Sequence, residues 1–89
     1  MKLSLKEWEK VQDYAHLCAE ELNFKYYLNV KVKVYRMYDG RAGVALQLFD
    51  KYDNFFEEYL SGIHSATDEY IESINSCYFR IKEEAREND

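Results

Sequence analysis

An α+β fold, ordered helix–β-hairpin–helix–helix, is what this sequence predicts, and three observations carry it. A capped stripe of 3.6-residue period opens the chain, two alternating runs flank a Tyr-Asp-Gly turn in the middle, and two further helical stripes close it. With 89 residues, three glycines and no proline, the chain has room for one core and few irregular loops. A single domain spanning 1–89 is expected, with a two-stranded antiparallel sheet packed against helices.

The first helix is expected over about 5–23. Ser4 and Glu7 form a capping box, in which each side chain satisfies a backbone N–H left unpaired by the first turn. Leu3 and Trp8 are spaced as a hydrophobic staple. Trp8, Val11, Ala15, Cys18 and Leu22 then recur at steps of three and four, a buried stripe that ends at Asn23.

The hairpin is expected over about 29–49, and its register follows from which face each residue must take. Val30, Val32 and Val34 alternate with Asn29, Lys31 and Lys33, while Val44, Leu46 and Leu48 alternate with Ala45 and Gln47. A two-residue Asp39-Gly40 loop would put Val34 opposite Ala45 and Val32 opposite Gln47, mixing the faces. A three-residue loop of Tyr38, Asp39 and left-handed Gly40 pairs Val34 with Val44, Val32 with Leu46 and Val30 with Leu48. That register leaves Lys31, Lys33, Tyr35, Ala45 and Gln47 on the other face, with Tyr35 across from Gly43. The preceding Phe24–Leu28 segment is available to lengthen the first strand or add a short one.

Two more helices are expected, over about 51–61 and 66–85. Asp50 caps the first, Gly62 stops it, and Tyr52, Phe55, Phe56, Tyr59, Leu60 and Ile63 form its apolar stripe. Ser65 or Thr67 caps the second, whose stripe is Tyr70, Ile71, Ile74, Cys77, Tyr78 and Ile81. The tail from Lys82 is expected to fray.

Net charge is −5, but it is unevenly spread. Residues 25–41 hold five bases and one acid, a balance of +4, whereas residues 50–89 hold eleven acids and four bases, a balance of −7. A basic middle beside an acidic C-terminal half makes a dipolar surface, which matters for partners rather than for fold. No run of about 18 apolar residues is present and charges interrupt the start, so a cytoplasmic chain is expected, with Cys18 and Cys77 reduced and buried on helix faces.

Chemistry is thin. His16 and His64 make no ligand pair, and no Cys-x-x-Cys occurs, so no metal or cofactor is expected. His64 with Cys77 lacks a third orienting group, and the Asp39-Gly40-Arg41-Ala42-Gly43 run is too short for a phosphate loop. Asp50, Asp53 and Glu57 would share a helix face, but without calcium-loop spacing they read as solvated acids favouring a helix N-terminus. The chain is expected not to be an enzyme. Helix–strand–strand–helix order is loosely similar to double-stranded-RNA-binding domains, whose third strand and basic helix start are missing from this reading. Here the last helix opens Ala66-Thr67-Asp68-Glu69.

Partner binding is therefore the expected role, through Asp50, Asp53, Glu57, Glu58, Asp68, Glu69 and Glu72. An antiparallel helix pair would gather these acids around one end and flank, as a footprint for a cationic protein surface. Short, acidic, tyrosine-rich chains without a catalytic set are common among phage and mobile-element inhibitors of the anti-CRISPR or anti-restriction type, including DNA mimics. The concrete expectation is such an inhibitor occupying a basic site on a nucleic-acid-handling enzyme. An antitoxin or immunity protein against a basic toxin is the second expectation. The third is a nucleic-acid-binding module using the hairpin residues Lys31, Lys33, Tyr35 and Arg36. Open sheet edges also make a homodimer available.

Overall fold

A computed structural model of the chain describes residues 3–87. The order is α1 (Leu5–Lys25), β1 (Asn29–Arg36), β2 (Ala42–Phe49), β3 (Phe55–Leu60) and α2 (Thr67–Glu87). One antiparallel sheet runs β1-β2-β3, with both helices on one face.

The opening helix forms as its sequence dictates. Ser4 Oγ accepts from the Glu7 N–H, and Glu7 returns a carboxylate oxygen to the Ser4 N–H at 3.1 Å. Leu3 packs against the core beside Trp8, completing the staple. Asn23 does not stop the helix, which runs two residues further. Instead its side chain accepts from the Val30 N–H at 2.7 Å and donates to the Val30 carbonyl at 3.0 Å. It thus mimics a neighbouring strand at the start of β1. Tyr27, left-handed with φ of 57°, turns the chain between them, so Phe24–Leu28 adds no strand.

The hairpin takes the expected register, with Val34 opposite Val44, Val32 opposite Leu46 and Val30 opposite Leu48. Gly40 has φ of 87°, and Met37 and Arg41 close the loop through the Met37 N–H and the Arg41 carbonyl at 2.7 Å. Across the strands the Tyr35 ring lies directly over Gly43, so a β-carbon there would collide with the phenol. Gly43→Ala is expected to cost about 1–2 kcal/mol in urea unfolding, because the ring must swing aside. In a Tyr35→Ala background the same change should be neutral or stabilising.

The segment after Asp50 is a turn and a strand, not the expected 51–61 helix, and the fold is α-β-β-β-α with three strands. Two physical reasons decide it. Asp50 does not cap a helix. Its Oδ1 accepts from the Tyr52 and Asn54 N–H groups, both at 2.9 Å, and Asp53 turns left-handed at φ of 68°. The second reason is β2, whose Val44, Ala45 and Leu46 are all buried. Ala45 is buried although it faces away from the helices, as befits a central strand, and the edge of β2 not taken by β1 pairs with Phe55–Leu60. A bulge beside Phe49 brings Phe49 and Phe55 into edge-to-face contact at 5.9 Å.

The antiparallel pair expected between helices 51–61 and 66–85 does not form, because Phe55–Leu60 is a strand; α1 and α2 themselves lie parallel. Glu7 meets Thr67, Trp8 meets Tyr70, Tyr14 donates to Asn75 at 2.9 Å, and Lys82 sits over Tyr26. Residue numbers therefore rise together along the pair. Val11, Ala15, Cys18 and Leu22 of α1 meet Tyr70, Ile74, Cys77 and Ile81 of α2 over Val44, Leu46, Leu48 and Tyr59. The stripes predicted for both helices face the core, buried except for half-buried Trp8 and Ile71, and α2 stays helical to Glu87 where fraying was expected. No helix is long and apolar enough to cross a membrane among the described residues.

Candidate functional site

Strand β3 distributes its side chains by parity, and that rearranges the expected acidic surface. Tyr59 faces the helices and is 3% exposed, and Glu57 lies on the same side. Glu58 and Leu60 point to the other face, which no helix covers, and the bulge at Phe56 lets Phe55 join Phe49 there. The apolar stripe of Tyr52, Phe55, Phe56, Tyr59 and Leu60 is therefore not one buried side. Phe55, Phe56 and Leu60 are each more than half exposed, and Tyr52 more so.

The seven expected acids do not form one patch. Asp50 and Asp53 lie in the β2–β3 turn. Asp53 accepts from Asn29 and from Lys31, both at 2.9 Å, and these partners hold its carboxyl below the usual carboxylate range. Asp50 is likewise held low by the N–H of Asn54 and then that of Tyr52. Asp68, Glu69 and Glu72 open α2 at the far end of β3, about 20 Å away at the usual rise of a six-residue strand. Glu58 accepts from Gln47 at 2.7 Å on the uncovered face.

Glu57 meets an acid that lies in the segment expected to fray. The Tyr59 hydroxyl is within hydrogen-bonding reach of Glu57 Oε2, at 2.8 Å, and of Glu84 Oε2. One phenolic hydrogen cannot serve two carboxylates at once. Burial, then Glu84 and then Glu57, push the phenol up, so it stays protonated as the donor. Arg80 stacks its guanidinium on the Tyr59 ring at 5.1 Å, and Glu83 and Phe79 complete the rim of this shallow hollow. Among the described residues the only ion pairs are Lys31–Asp53 and Arg41–Asp39, so Glu57, Glu58, Glu83 and Glu84 have none. The β3 edge thus carries Glu57, Glu83, Glu84 and Phe79 on its helix side, and Glu58, Phe55 and Leu60 on its uncovered side. A signal for it existed in the sequence: Glu83 and Glu84 follow Ile81 in the α2 stripe.

The basic hairpin surface is divided too. Lys31, Lys33 and Tyr35 share the uncovered face, but Arg36 has the opposite parity and lines a cleft on the helix side. Lys31 is paired with Asp53 and lies over the Phe49 ring at 4.5 Å. His64 and Cys77 do not pair. The His64 Nε2 is 2.7 Å from the Ser61 carbonyl and 2.9 Å from Ser73 Oγ, while the Cys77 thiol reaches toward the Leu60 carbonyl. His16 is exposed on α1. Among the described residues no group of three or more histidine, cysteine or acidic side chains could hold a metal ion.

Cys18 and Cys77 are both free and buried, and burial pushes both thiols up. Neither should react with Ellman's reagent at pH 8 in the folded protein, and both should react once urea unfolds it. Prompt labelling of the native chain would show that α1 and α2 do not seal them.

No family model, no curated protein and no solved structure matches this chain.

Proposed function

We propose that this chain is a non-enzymatic protein-binding module that presents the β3 edge to a positively charged protein surface. The observation that carries the reading is Glu57, Glu83 and Glu84 on one side of the β3 edge and Glu58 on the other, in no ion pair among the described residues, with Phe55, Phe56, Leu60 and Phe79 exposed. Apolar anchors within a charged rim are what binding surfaces use, the anchors for affinity and the charges for steering. An unpaired strand edge adds backbone donors and acceptors. An inhibitor occupying a basic site on a nucleic-acid-handling enzyme, of the anti-CRISPR, anti-restriction or DNA-mimic kind, is the concrete form. An antitoxin or immunity protein would use the same chemistry against a basic toxin.

The expected acids Asp68, Glu69 and Glu72 lie at the far end of β3 and Asp50 and Asp53 are tied within the turn, so they take a steering role in this reading. Affinity capture from the native host tests it. A specific partner should be retained by the wild-type chain, released by about 0.5 M NaCl, where screening reaches only a few ångströms, and lost with Glu57→Lys and Glu84→Lys. A partner held equally by both baits and insensitive to salt would count against it.

Nucleic-acid binding is the second reading, favoured by Phe49 and Phe55 sharing the uncovered face with Lys31, Lys33 and Tyr35. Absence of single-stranded RNA or DNA retention at low salt in a filter assay removes it.

A further inference from the structure

The parallel helices both begin at the end of the molecule that holds the hairpin turn and the β3–α2 connection. Between these segments lies an open cleft of about 530 Å³, remote from the β2–β3 turn. Its volume falls in the range of small-molecule sites. The walls are apolar or aromatic, with Leu3 and Trp8 from the start of α1, Ile63 from the connection and Tyr70 from α2. Tyr70 is fixed. Its hydroxyl donates to the Ala42 carbonyl at 2.6 Å, and its ring packs edge-to-face with Trp8 at 5.4 Å and with His64 at 5.0 Å.

The polar groups of the cleft are largely taken. His64 Nε2 faces the Ser61 carbonyl and Ser73, Arg41 is paired with Asp39 at 2.6 Å, and Glu69 accepts from the Ser65 hydroxyl at 3.2 Å. Arg36 is the exception: among the described residues it is the one cation of the lining without a carboxylate partner. Its strand parity, which removes it from the basic hairpin face, is what delivers it here. An apolar aromatic wall with one unpaired guanidinium at the rim matches a ligand with an aromatic body and one anionic group, because the guanidinium fork binds a carboxylate through two parallel hydrogen bonds.

We propose that this cleft binds a small aromatic carboxylate, its ring against Trp8 and Ile63 and its carboxylate on Arg36. Trp8 is the only tryptophan in the chain, so it reports occupancy directly. The test titrates the full chain with 3-phenylpropionate and with its neutral amide, following tryptophan emission and backbone amide shifts. The acid should bind saturably in the millimolar range or tighter, and about tenfold more tightly than the amide. Arg36→Gln should bring the acid down to the level of the amide without changing the amide, and Arg36→Lys should recover part of the difference. Arg36 is exposed at a strand end, and a circular dichroism melt matching the wild type shows that the variant is folded. Amide shifts should cluster at Trp8, Ala42 and Ile63. Equal binding of acid and amide, indifference to Arg36→Gln, no saturation below about 10 mM, or shifts centred on Phe55 and Phe56 would each overturn the proposal.

Discussion

Leu46→Ala is expected to lower the free energy of unfolding by about 3 kcal/mol and the melting temperature by roughly 15 °C. Leu46 is 1% exposed at the middle of β2, opposite Val32 on one neighbour and Tyr59 on the other, beneath both helices. Deleting its branched end removes contacts that the sheet and helices cannot all close over, so transfer and cavity costs add. Small domains have about 5–15 kcal/mol in total, so this loss is a large fraction. Urea unfolding followed by Trp8 emission measures it. A loss below about 1 kcal/mol would mean that β2 is not the central strand, and the three-stranded sheet would fall with it.

The second large effect is on binding. Phe56→Ser with Leu60→Ser should weaken capture of the proposed cationic partner at least about 30-fold, the scale of a lost hot spot, while leaving the melting temperature nearly unchanged. Both side chains are more than half exposed, so the fold does not depend on them. The Glu57→Lys and Glu84→Lys pair should weaken it through a different route, lowering the association rate and its salt dependence. A double variant that binds as well as the wild type would place the anchors elsewhere.

Helix α1, the hairpin register and the stripe of α2 were legible because each rests on local chemistry. Ser4 and Glu7 need only each other, Gly40 needs only its own φ, and the valine alternation admits one register that gathers the aliphatics. Strand β3 was not legible for a definite reason. In Phe55-Phe56-Glu57-Glu58-Tyr59-Leu60, steps of three and four and steps of two both group the aromatics, so periodicity cannot choose. The deciding facts are non-local: the free edge of β2 and the turn that Asp50 builds with Tyr52 and Asn54. One clue lay upstream, since Val44-Ala45-Leu46 is apolar at consecutive positions, as a central strand is and an edge strand is not.

The candidate site inherited that error. A helix would have placed Asp53 and Glu57 together, and antiparallel helices would have added Asp68, Glu69 and Glu72. Strand parity instead separates Glu57 from Glu58, and the extended β3 carries the start of α2 away from the β2–β3 turn. What replaces the lost cluster is Glu83 and Glu84, which reach β3 only because α2 continues through them as a helix. Charge balance alone pointed to the acidic half but could not say which carboxylates meet.

A photo-crosslinking amino acid placed at position 56, compared with one at exposed Glu20 on α1, tests the β3 surface most directly in cells of the native host. A discrete protein adduct should form from position 56 alone and disappear when Glu57→Lys and Glu84→Lys are added. Adducts of equal yield from both positions, or from Glu20 alone, would contradict the assignment of β3 as the surface this protein offers to its partner.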